Sequence, residues 1–145
     1  MAEDRPPQDI CRRFNSLHWH DSKLVGVHIS YSADDRTDDV CFQIELLTNP
    51  QPGNYQWKSA KLKITECTII KLDMDLDGKH VCSDDIAEAF CTAESPLKDQ
   101  LEREQLKHEE KPLAGYLHFR ISLIPPGGEI DLFAKDFELL MEPDK

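Results

Sequence analysis

The sequence predicts an α+β protein dominated by antiparallel β-sheet, an arrangement open to a sandwich. Two observations carry that expectation. Apolar residues recur at every second position along most of the chain, the period of a half-buried strand. The runs are separated by polar and Pro/Gly-rich turns, with one or two short helices placed only between the central and C-terminal strands. The chain has 145 residues, of which 39% are hydrophobic and 31% charged. That length and balance predict a single domain over residues 1–145 with a core of its own.

The opening MAEDRPPQD carries acids and two prolines where a signal peptide would have a basic and then an apolar stretch. Residues 1–13 are expected to form a flexible tail, and the protein to be cytoplasmic. Next comes LHWHDS, Leu17 to Ser22. On a strand, His18 and His20 would share one face, with Trp19 and Asp21 opposite. The simplest role for His20 and Asp21 is to cap the entry to the first strand, with Trp19 packed on the sheet. His18, Trp19, His20 and Asp21 also form a candidate partner-binding surface, and His18, His20 and Asp21 are metal-competent.

In KLVGVHISY, Val25, Val27, Ile29 and Tyr31 fall on one face; in VCFQIELL, so do Val40, Phe42, Ile44 and Leu46. The polar stretch SADDRTDD between them predicts an antiparallel hairpin. TNPQPGN, Thr48 to Asn54, reads as a loop. From Trp57, Leu62 and Ile64 share a parity that Ile70, Leu72, Met74 and Leu76 resume, while Cys67 and Ile69 are apolar on the other. This predicts one long bent strand, or two strands divided at Glu66 to Thr68.

LDMDLDGKH, Leu72 to His80, spells D-x-D-x-D-G, the opening of a calcium loop. With Asp73 in position 1, Gly78 falls correctly at position 6, but position 12 is Asp84 rather than Glu. The preceding TIIKLDMDL has period two, where an EF-hand requires a helix. Asp73, Asp75 and Asp77 therefore read as a solvated row beside Lys71, spaced about 7 Å apart, with Leu72, Met74 and Leu76 toward the core. The three aspartates complete the candidate partner-binding surface. No cofactor is expected. The alternative is a metal-binding protein using His18, His20 and Asp21, or the Asp73–Gly78 loop.

Ser83 introduces a change of period. In SDDIAEAF, Ile86, Ala89 and Phe90 lie at i, i+3 and i+4, which predicts a short helix. LKDQLEREQLKHEEK, with Leu97 and Leu101 as its apolar stripe, is open to a second, mostly solvated helix. Strands return in GYLHFRISLI, where Leu117, Phe119, Ile121 and Leu123 alternate with polar residues. PPGG is a turn, and EIDLFAKDFELL switches parity near Lys135.

The net charge is −11, from 17 Lys+Arg against 28 Asp+Glu. This disfavours nucleic acid and suits a basic protein partner. No run is long and apolar enough for a membrane helix. Self-association through a sheet edge is a further expectation. The five cysteines have no C-x-x-C spacing, so they read as thiols in a reducing compartment. No nucleophile elbow or phosphate loop is present.

FNSLHWHDSKLVGVHI, with H-D-S-x-L entering the first strand, resembles the opening of small uncharacterised bacterial proteins. Some of these are grouped with the immunity proteins of polymorphic toxin systems. FRISLIPPGGEIDLFAKDFEL is similar to their closing hairpin. The resemblance implies a non-enzymatic α+β or β-rich domain that binds a partner, and it assigns no catalytic residue.

Overall fold

In the computed structural model, residues 6–30, 38–73, 85–105, 115–124 and 128–142 are described. The predicted class holds: the fold is mainly antiparallel sheet with two short helices. In chain order the elements are α1 (Pro7–Asn15), β1 (Lys23–Ser30), β2 (Asp38–Asn49), β3 (Gln56–Cys67), β4 (Ile69–Asp73), β5 (Ile86–Thr92), α2 (Pro96–Gln105), β6 (Leu117–Leu123), β7 (Gly128–Ala134) and β8 (Asp136–Met141). One sheet has the order β1-β2-β3-β8 and the other β4-β7-β6-β5.

The sheets are joined at two places. β3 and β4 are nearly continuous, as are β7 and β8, and the two ribbons pair with each other in both sheets. At the corner Glu66 takes a positive φ of 53°. Thr68 N–H bonds to Phe133 O at 2.8 Å, and Lys135 N–H to Thr65 O at 3.2 Å. The expected division at Glu66 to Thr68 and the parity switch near Lys135 are thus one feature, a corner where two paired strands change sheet. On the opposite side, Lys23 of β1 forms an isolated bridge to Asp85, the residue just before β5.

Alternation builds the core. Val40, Phe42 and Ile44 of β2 face inward with Ala60, Leu62 and Ile64 of β3. Leu117, Phe119 and Ile121 of β6 and Ile130, Leu132 and Ala134 of β7 answer from the second sheet. All belong to one buried cluster.

Several expectations need correction. Residues 7–13 are not a flexible tail but part of α1, with Pro7 at its start and Ile10 and Phe14 buried one turn apart. Phe14 meets Phe119 of one sheet and Phe137 of the other edge-to-face, at 5.1 and 5.2 Å. The helix expected from Ser83 is instead β5. Its i, i+3, i+4 pattern is overridden by pairing with β6 from Ile86↔Leu123 to Thr92↔His118; Ser83 and Asp84 lie outside the described residues. Val25 does not share the inward face, because β1 is bulged between Leu24 and Gly26. Leu24 is buried opposite Ile44, and Val25 is 60% exposed. Leu72 is not core: it lies near the end of the edge strand β4 and is 49% exposed. Within 97–111, residues up to Gln105 are helical as part of α2. Met74, Asp75, Leu76, Asp77 and Gly78 lie outside the described residues.

Candidate functional site

The turn between α1 and β1 holds the first group of candidate residues, and its anchor is Ser22. This side chain is fully buried. Its Oγ donates to His18 O at 2.8 Å and accepts from Leu47 N–H at 2.9 Å. Its N–H reaches Trp19 O, and its carbonyl accepts Ile86 N–H at 2.7 Å. One residue thus ties the turn after α1 to β2 through its hydroxyl and to β5 through its carbonyl, and the H-D-S stretch is built around it. Asp21 stands at φ 68°, a left-handed conformation that Asp adopts more readily than most side chains. Its N–H bonds to Ile86 O at 3.0 Å.

Trp19 does not belong to a binding surface. It is buried, stacked on Phe14 at 4.7 Å, with Nε1–H donated to Phe14 O at 2.8 Å. His18 and His20 are exposed, and His20 Nδ1 lies 3.0 Å from Ala87 O. His20 Nε2 is 3.6 Å from the Asp21 carboxylate. The exposed aromatic group at this turn is one that periodicity did not single out. Trp57 of β3 donates Nε1–H to Asp21 O at 2.9 Å, and Lys23 Nζ sits 4.9 Å from the centre of its ring. Tyr55 lies beside it at 6.0 Å, and both aromatic side chains are more than 40% exposed. Their position at the end of a loop was the signal available in the sequence: aromatic residues beside a Pro/Gly turn have little sheet to bury them.

Asp73 lies in the other sheet, exposed at the end of β4 and opposite Glu129. Two carboxylates facing across a strand pair repel. Asp75 and Asp77 are outside the described residues, so the acidic row is defined only at Asp73. Among the described residues, no group of three or more His, Cys, Asp or Glu side chains could hold a metal ion.

A polar chain also crosses the face of β6 and β7 turned away from the core. Ser95 Oγ lies 2.8 Å from His118 Nδ1, and His118 Nε2 lies 2.6 Å from Asp131 Oδ1. Arg120 donates Nε–H to the same carboxylate oxygen at 2.7 Å and extends to Glu129 at 3.6 Å. Cross-strand register explains the meeting: His118 is opposite Phe133, and Arg120 opposite Asp131. Burial, despite the opposing pull of Asp131 and with Arg120 adding to it, lowers the His118 pKa and favours the neutral ring. A neutral ring facing a carboxylate at Nε2 carries its proton there, and Nδ1 accepts from Ser95. Burial alone would raise Asp131, but the hydrogen bonds from Arg120 and His118 and their charges hold its carboxyl below the ordinary value. The bond from Asp131 in turn raises Arg120.

This Ser–His–Asp order has the proton layout of an activated hydroxyl. It also has a structural use. Both ring nitrogens are occupied and His118 is 2% exposed, stacked on Phe133 at 4.8 Å. Ser95 also accepts Lys98 N–H at 3.1 Å as the cap of α2. The chain thus fastens the start of α2 to the second sheet.

The fold and these sites define an acidic, two-sheet α+β protein with an exposed aromatic patch beside a rigid turn. No family model, curated protein or solved structure matches the chain. No helix among the described residues is long and apolar enough to cross a membrane.

Proposed function

We propose that the protein is a non-enzymatic binding domain whose partner is a basic protein, in the manner of an immunity protein that neutralises a toxin domain. The observation that carries this reading is the Tyr55–Trp57 patch. Trp57 is half-exposed yet held by Asp21 and Lys23. A large aromatic side chain already fixed in place loses little freedom on binding, which is what a hot-spot anchor requires. The net charge of −11 supplies long-range attraction for a basic partner. The exposed Asp73 carboxylate, opposite Glu129, would be relieved by a cationic side chain.

The test is binding to the purified product of an adjacent toxin gene, followed by interferometry at low and high salt. The on-rate is expected to fall steeply with salt. Trp57→Ala is expected to weaken binding by about 30-fold or more, equivalent to about 2 kcal/mol, without lowering the melting temperature appreciably. A salt-insensitive association, or no association, would count against the reading. Covalent labelling of Ser95 by a fluorophosphonate would overturn its non-enzymatic part.

A further inference from the structure

Cys11 of α1 and Cys91 of β5 are 80 positions apart in sequence, yet their sulfurs lie 3.1 Å from each other. Both are free thiols. The approach is held by a second contact between the same elements. Asn15 Nδ2–H donates to Cys91 O at 3.0 Å, and Cys91 N–H donates to Asn15 Oδ1 at 2.8 Å. This two-point clip fixes the height of α1 on β5 and keeps the sulfurs facing. We propose that Cys11 and Cys91 are a redox-reactive pair that closes to a disulfide with a low-molecular-weight disulfide such as glutathione disulfide, clamping α1 onto β5.

The two sulfurs are not equivalent. Cys91 is 2% exposed, while Cys11 is partly exposed. Burial, and the hydrogen bond shared with Cys11, push the Cys91 thiol pKa up, so it keeps its proton. Cys11 is therefore the sulfur that meets the oxidant. Its thiolate attacks one sulfur of glutathione disulfide and releases one glutathione thiolate. Cys91 then gives its proton to the glutathione thiolate just released, and the resulting thiolate attacks the Cys11 sulfur of the mixed disulfide. The bond to the second glutathione breaks, and it leaves as a thiolate. Two protein thiols are oxidised and one glutathione disulfide is reduced to two glutathiones. The remaining described cysteines are not so placed: Cys41 pairs across β2 with His28 and Lys63, and Cys67 donates to Ile69 O.

The experiment incubates the full chain in glutathione redox buffers, blocks free thiols with an alkylating agent and maps peptides without reduction. A Cys11–Cys91 cross-linked peptide is expected. Closing so long a loop is expected to raise the melting temperature by about 5–10 °C, reversibly with dithiothreitol. Cys11→Ser abolishes both effects, and Cys41→Ser leaves them intact. Alkylation of both Cys11 and Cys91 at high glutathione disulfide, or a different cysteine pairing, would overturn the proposal. So would a Cys11→Ser variant that gains the same stability on oxidation.

Discussion

Ser22 shows how much one small side chain can organise. Its hydroxyl satisfies a backbone N–H of β2 and a carbonyl of the preceding turn, both from a fully buried position. Ser22→Ala leaves Leu47 N–H without its partner. It is expected to cost about 1–3 kcal/mol, measured by urea denaturation. A loss below a few tenths of that range would show that the turn holds without the hydroxyl. His18 and His20, more conspicuous in the sequence, remain on the surface and lend the same turn only a carbonyl and a ring nitrogen.

His118 and Asp131 give the residue scale a pH signature. The lowered His118 pKa means that, as pH falls through the ordinary value of 6.5, the unfolded chain takes up a proton that the folded chain refuses. Stability therefore declines on acidification below about 6.5. Asp131 acts in the same direction at lower pH, below the ordinary carboxylate value of 3.8, because its folded pKa is depressed. A thermal melt series from about pH 7.5 to about 5.5 is expected to show a falling midpoint, and His118→Gln is expected to flatten it. Equal slopes in both proteins would place the acid sensitivity elsewhere.

At the scale of elements, the corner at Glu66 is the most distinctive device. Its positive φ is costly for a side chain with a Cβ, by about 1–2 kcal/mol. The strand keeps the conformation because Glu66 N–H bonds to Asp39 Oδ1 at 3.2 Å and both ribbons turn there together. Glu66→Gly retains that backbone donor and is expected to stabilise the protein by up to about 1 kcal/mol, the relieved strain exceeding the added chain entropy. A destabilised variant in a guanidinium titration would refute the strain.

Much of this scale was legible beforehand. Strands with one wet face announced themselves, and so did the corner, since a strand that changes sheet must change which parity is apolar. β5 was not legible, because Ile86, Ala89 and Phe90 satisfy a helical stripe as readily as a strand does. Only the partner strand decides, through seven residues too few to separate the two periods. The Val25 bulge was hidden for a related reason: one inserted residue shifts every later side chain to the other face. For α1 the signal existed in Pro7, Ile10 and Phe14, but acids and prolines masked it. Phe14→Ala removes a ring packed against both sheets and is expected to cost about 3–5 kcal/mol, read as a loss of the cooperative thermal transition or a large fall in its midpoint.

For the whole molecule, the candidate site is less readable than the fold, since it depends on encounters between distant segments. Tyr55 and Trp57 meet Asp21 and Lys23 only because β3 passes beside the turn, and Ser95 meets His118 only once α2 lies against the second sheet. Net charge, by contrast, is a property of composition, and it governs behaviour at long range. A sequence isoelectric point near 4.9 means that the protein repels its own copies at neutral pH. Scattering measured at rising salt is expected to show more self-association as that repulsion is screened, through edges where Leu140 and Met141 are 50% and 40% exposed. A strictly salt-independent mass would remove those edges from consideration.

The contact between Phe14 and Phe137 also dictates when the chain can become a protein. One ring belongs to α1 and the other to β8, and they meet directly within a core built from both sheets. During synthesis, Phe14 waits for Phe137 to emerge from the ribosome tunnel. Until then the nascent chain holds hairpins but no sealed interior. Folding is therefore completed only once β8 is available, and is slow as non-local β topologies are. In that interval the half-made sheets are at the mercy of chaperones and proteases.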